Sequence, residues 1–261
     1  VYIYLLSIFS LFELTYKNQL LKIILLSLII LICFDDFLFR GYQEVLIFSF
    51  FIFISKYFYY YIKYNKNIYL ILCFICLNLL PWIKNEGYLL TLVFTISLIL
   101  ITNKLPQKIN ILVFVFLTWI LILIKSYIFQ TFLNQNLTHG GSGLKFLFEI
   151  DVFKDYFVTI LFGFIVAFFK YKIWLFIILS FFLLSNIKLS LNNERNFFKF
   201  LKINLLIYFL MLLAMYYDLS YRGDISWWVD NSLDRMLYSL SGLFMLQVII
   251  VFNNYKNFNL K

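Results

Sequence analysis

The sequence predicts an all-α fold, a single bundle of about eight to ten membrane helices. Three observations predict it. The chain is 64% hydrophobic and only 13% charged, with a mean hydropathy of +0.90; a soluble domain carries about 25% charged residues. Apolar runs recur along the whole length, each bounded by a few polar residues. Two prolines and eight glycines are too few to punctuate a loop-rich protein of 261 residues. No internal repeat or soluble module is visible, so 1–261 reads as one transmembrane domain.

The first run, 1–12, is apolar from Val1 and lacks the basic start of a signal peptide. It reads as the tail of a longer helix, and residues upstream are expected to be missing. Runs near 18–34 and 44–62 follow, joined by Asp35-Asp36-Phe37-Leu38-Phe39-Arg40-Gly41-Tyr42-Gln43-Glu44. Runs near 68–82 and 88–102 flank the short turn Lys84-Asn85-Glu86-Gly87. The run near 111–129 leads into a polar stretch, about 130–155, that reads as a loop. Its Thr138-His139-Gly140-Gly141-Ser142-Gly143 lacks the Lys-Ser/Thr ending of a phosphate-binding P-loop. Runs near 156–169 and 173–187 are short for a span of about 17–20 residues. Runs near 203–217 and 236–252 complete the set, separated by a polar segment, 218–235.

Charge sorts the connections into two sets. Lys17, Lys22, Lys63, Lys66, Lys104, Lys108, Lys170, Lys172, Lys188, Arg195, Lys199, Lys202, Lys256 and Lys261 fall in one, with only Glu13 and Glu194 as acids. The remaining acids fall near 35–44, 83–87, 130–155 and 218–235. The positive-inside rule puts the basic set in the cytoplasm and the acidic set outside. The net charge of +9 is thus a topology signal, and nucleic acid is not an expected partner. Lys170 and Lys188 both read as cytoplasmic with an apolar run between them. One crossing for 156–187, with the other segment re-entrant or interfacial, resolves this. Lys56 and Lys125 lie near helix ends, where they can snorkel to the surface. Cys73 and Cys76 are three apart on one helix with no second pair, and the chain has one His. No zinc site is expected, and these thiols, like Cys33, read as packed and reduced.

Three outer segments hold unusual polar groups. A charge at the bilayer centre costs roughly 2.5–3.5 kcal/mol, so Lys84 and Glu86 must occupy a surface turn. A plain turn with a local Lys–Glu pair is the simple reading. Glu44 heads a helix, where the dipole favours a carboxylate. Asp234 and Arg235 are expected at the start of the last helix, where the dipole disfavours Arg; an anionic partner such as a phosphate would explain it. Trp227 and Trp228 suit an interfacial aromatic belt. Carboxylates can take a proton from an acceptor hydroxyl, and Lys and Arg can neutralise a phosphate leaving group. The same inventory suits an ion pathway with charges paired between helices.

Trp82-Ile83-Lys84-Asn85-Glu86-Gly87 between two apolar helices resembles the polytopic glycosyltransferases of the GT-C fold, related to the protein mannosyltransferases and the lipid A aminoarabinose transferase. Gly41-Tyr42-Gln43-Glu44 resembles their Gly-Tyr-x-Asp/Glu stretch. The segment from Trp227 to Arg235 resembles their Trp-His-x-x-x-Ser-x-x-Arg, with Trp228 where His is usual. The resemblance implies a polyprenyl-phosphate sugar donor and a glycan, lipid or protein acceptor. It also implies an integral protein of the bacterial inner membrane, active on its outer face. A first outer loop with a key Asp is implied too, and is absent from the visible chain.

On this reading Lys84 and Arg235 contact the phosphate. Glu44 positions the acceptor or a divalent metal, and Glu86 orients Lys84 or binds sugar hydroxyls. Asn85, Asp234 and Trp227 complete the substrate contacts, with Asp35, Asp36 and Arg40 as second choices. The alternatives are a transporter or flippase of lipid-linked saccharide, and a non-catalytic membrane subunit.

Overall fold

The computed structural model describes residues 2–12, 43–84, 86–102, 105, 107–132, 150–170, 172–184, 192–220 and 225–253. The protein is all-α: among the described residues every regular element is helical. The helices are α1 (Tyr2–Phe12), α2 (Gln43–Tyr64), α3 (Asn67–Ile83), α4 (Glu86–Ile101), α5 (Lys108–Phe132), α6 (Ile150–Lys170), α7 (Lys172–Leu184), α8 (Asn192–Ser220), α9 (Ile225–Trp228) and α10 (Asp234–Asn253). One π-helical turn, Val229–Leu233, joins α9 to α10.

α2 is the central element, packed against α1, α3, α8 and α10. It lies close against α10 at Gly242, where a Cβ would lie 2.2 Å from the carbonyl oxygen of Phe48. Phe48 stacks on Tyr238 beside this crossing, with ring centroids 5.1 Å apart. Further along α2, Phe58 meets Phe200 at 4.6 Å and Phe94 at 5.9 Å, which ties α2, α8 and α4 together. Such aromatic pairs contribute about 0.5–1.5 kcal/mol beyond their buried area. A buried hydrogen bond from Asn204 to Ser97, 3.3 Å, adds a polar lock between α8 and α4.

Four stretches are long and apolar enough to cross a membrane: Gln43–Tyr64, Lys108–Ile128, Arg195–Tyr216 and Ile225–Val251. The pair α6 and α7, bent by 94°, makes a fifth if counted as one span. The protein is an integral membrane protein on this evidence of its helices, and the large exposed apolar side chains of α5, such as Ile109, Phe116 and Leu123, suit lipid contact. Of the eight to ten crossings expected from the runs, four to five are long and apolar enough by themselves among the described residues. Length is the reason. α3 has 17 residues and α4 has 16, about 25 Å at 1.5 Å per residue, against a hydrocarbon core of about 30 Å. The run near 18–34 lies outside the described residues.

Three further expectations change. The segment 218–235 is helical from Ile225 onward, and α9, the π turn and α10 form one continuous stretch. Asp234 and Arg235 open α10, as expected, and the π turn runs into it without a break. Lys170 does not belong with the cations of the opposite face: it forms an ion pair with Asp234. Nor do Lys56 and Lys125 snorkel. Both are buried; Lys56 donates to the carbonyl of Ser10 at 2.7 Å, and Lys125 donates to that of Pro81. These carbonyls lie in the last turns of α1 and α3, where helical donors run out.

Candidate functional site

The α3–α4 hairpin sets the first wall. Pro81 has no N–H, so the carbonyl of Leu77, four residues earlier, loses its helical donor. The hydroxyl of Thr91 on α4 donates to it at 3.4 Å. Past Pro81, the Leu80 carbonyl accepts Lys84 N–H at 3.4 Å. The Lys125 ammonium on the Pro81 carbonyl also lies over the rings of Trp82 (5.1 Å to the centroid) and Tyr88 (4.7 Å). Gly87 closes the turn: its N–H donates to Lys84 O at 2.9 Å, and a Cβ there would sit 2.0 Å from the Leu80 carbonyl oxygen. Only glycine lets α4 start so close to the end of α3.

This turn delivers Lys84 to Glu44. Lys84 Nζ lies 2.7 Å from Glu44 Oε1 and 2.5 Å from Glu86 Oε2. Both carboxylates stand in the first turn of their helices, where the dipole favours negative charge. Arg235 Nη1 approaches the same Glu44 oxygen at 3.7 Å.

The π turn aims Arg235. Its Nε donates to Asn231 O at 2.9 Å and its N–H to Asp234 Oδ1 at 2.6 Å. With Nε anchored on the turn, Nη1 is directed at Glu44. α8 braces the same turn: Tyr216 OH and Ser232 Oγ share a hydrogen bond of 2.7 Å, and Tyr208 OH donates to Met236 O at 3.1 Å. π turns occur often at functional sites.

Two of the three acids face inward, while Glu86, with a side chain 28% exposed, is as open as Lys84. The Glu44 side chain is 3% exposed, against 25% for Lys84 and 31% for Arg235. The Asp234 side chain is 11% exposed, against 55% for its partner Lys170. An anion reaching this end of the bundle meets Arg235 and Lys170, each backed by a more buried carboxylate, and Lys84, which has Glu44 behind it and the exposed Glu86 beside it.

Glu44, Lys84, Glu86, Asp234 and Arg235, all singled out from sequence, thus converge on one end of the bundle. Trp227 is exposed on α9; its carbonyl accepts Asn231 Nδ2 at 2.7 Å. Asp35, Asp36, Arg40 and Asn85 lie outside the described residues. Sequence reading missed Lys170, Lys125, Tyr208 and Tyr216. Lysines within or beside apolar runs were the available signal for the first two; nothing marked the tyrosines among twenty. Among the described residues no group of three or more His, Cys, Asp or Glu side chains could hold a metal. Glu44, considered from sequence for a divalent metal, is engaged here by Lys84 and Arg235. Comparison with protein-family models, curated proteins and solved structures gives no match.

Proposed function

We propose that this protein is a membrane glycosyltransferase, moving a sugar from a polyprenyl-phosphate carrier to a hydroxyl of a glycan, lipid or protein acceptor. The reaction would take place where the charge cluster meets the outer surface of the bacterial cytoplasmic membrane. One observation carries the reading: Lys84 and Arg235, from segments far apart in the chain, point at one buried carboxylate while remaining more exposed than it is. In the reaction the acceptor oxygen bonds to the anomeric carbon as the bond from that carbon to the phosphate oxygen breaks. The electron pair leaves on the phosphate, where Lys84 and Arg235 neutralise it. Glu86, the more exposed acid on Lys84, takes the acceptor proton. Glu44 is a positioning residue that holds both cations.

The test is transfer of labelled sugar from a polyprenyl-phosphate donor in membranes containing the full-length protein. Transfer that is lost in Lys84→Ala supports the proposal; wild-type transfer by Lys84→Ala overturns the phosphate role. A second reading, a carrier of lipid-linked saccharide, is favoured by the bent α6–α7 pair beside the π turn of the Ile225–Val251 span, since carriers bind at broken helices. Movement of intact donor across sealed vesicles without cleavage would establish it instead.

A further inference from the structure

A cavity of about 540 Å³ opens between α6 and the α9–π turn segment. That volume lies within the range of about 300–1,000 Å³ for small-molecule sites. Its wall on α6 is mainly apolar, with Phe162, Gly163, Val166 and Ala167 beside Thr159. Gly163 lets α6 lie against the turn, since a Cβ there would sit 2.1 Å from Val229 Cγ1. The neighbouring face of α6 is exposed and apolar at Val158, Phe162, Ile165 and Phe169, as suits contact with hydrocarbon. The charged groups lining the cavity are Lys170, Asp230 and Asp234. Lys170 and Asp234 pair with each other; Asp230, one turn before Asp234, is exposed and has no ion-pair partner among the described residues.

We infer that this groove is a binding site for a bilayer phospholipid with an ethanolamine headgroup. Apolar α6 side chains take an acyl chain, the largely exposed Lys170 ammonium meets the phosphate, and the Asp230 carboxylate accepts from the primary ammonium. The charge order selects this headgroup. A primary ammonium has three N–H donors for a carboxylate, whereas a choline headgroup has none. A glycerol headgroup leaves Asp230 beside a net negative charge without a cation to match. The groove borders the candidate site at Lys170 and Asp234, but the lipid assignment does not depend on the catalytic reading.

The experiment is native mass spectrometry of the full chain released from nanodiscs holding equal amounts of ethanolamine, choline and glycerol phospholipids. The wild type should retain the ethanolamine lipid about tenfold over the choline lipid, the factor expected for one charge-assisted hydrogen bond. Asp230→Asn, an exposed position that leaves folding intact, should erase that preference. Val166→Trp, which fills the groove from an exposed position, should reduce the number of lipids retained. Retention in the bulk ratio, enrichment of the anionic glycerol lipid, or an undiminished preference in Asp230→Asn would overturn the assignment. Sugar transfer is not read at any step, so failure here leaves the proposed activity standing, and the reverse.

Discussion

Glu44 Oε1 lies 2.7 Å from one cation and 3.7 Å from another, so its charge is what keeps Lys84 and Arg235 side by side. Glu44→Gln removes that charge and leaves two like charges adjacent. Breaking a buried pair costs about 3–5 kcal/mol; partial exposure of both cations reduces this to about 2 kcal/mol. We expect a lower Tm in detergent for Glu44→Gln, while Glu86→Gln, at a more exposed acid, stays near the wild type. Equal Tm values for the two would show that Glu44 does not organise the cluster. Arg235 invites the opposite test. Lys keeps the charge but loses both the planar fork and the Nε anchor on Asn231. Arg235→Lys should therefore cut turnover by roughly 30- to 1000-fold, equivalent to about 2–4 kcal/mol of transition-state stabilisation. Its amount in the membrane should not change. Wild-type transfer by Arg235→Lys would reduce the residue to a partner of Glu44 and the π turn.

The α3–α4 hairpin is the element whose geometry the cluster depends on, and two substitutions probe it. Gly87→Ala places a methyl group 2.0 Å from the Leu80 carbonyl, a backbone neighbour that cannot rotate away. Separation of the helix ends should cost about 1–3 kcal/mol and pull Lys84 off Glu44, so stability and activity should fall together. Thr91→Val tests the proline compensation. Removing the hydroxyl that serves Leu77 O should cost about 1 kcal/mol. In a Pro81→Ala background the restored N–H satisfies Leu77 O, and the Thr91→Val cost should shrink. A double-mutant cycle with no coupling would show that the 3.4 Å contact carries no energy. Pro81 and Gly87 were both visible in the sequence. The partner of each was not, because a freed carbonyl and a missing Cβ take effect only where another helix arrives.

For the whole molecule, the decisive quantity is which end of each helix lies at which surface. The Lys170–Asp234 pair puts the end of α6 with Glu44, Glu86 and Arg235, against the assignment that loop charge suggests for Lys170. Single-cysteine variants at 86, 170 and 234, in a background without Cys33, Cys73 and Cys76, should all react with an impermeant reagent from the same side. Labelling of 170 from the side opposite to 86 would break this arrangement.

Composition alone determined that the chain is an all-α membrane protein, because a bilayer demands apolar side chains and internally bonded backbone in long runs. Several helix limits were close for the same reason, since polar residues at their ends mark where hydrocarbon stops; α6 and α8 instead begin at Ile150 and Asn192, ahead of the runs near 156 and 203, and α6 so takes in part of the stretch read as a loop. The sequence also marked Glu44, Lys84, Glu86, Asp234 and Arg235, since charges are costly in so apolar a chain. Only the tertiary structure decided how many helices are long enough to cross, and that α9 runs through a π turn into α10. It also placed Lys170 with the acids and buried Lys56 and Lys125. Each of these outcomes depends on which carbonyl, ring or carboxylate another helix brings within about 3–6 Å, a distance that spacing along the chain does not encode.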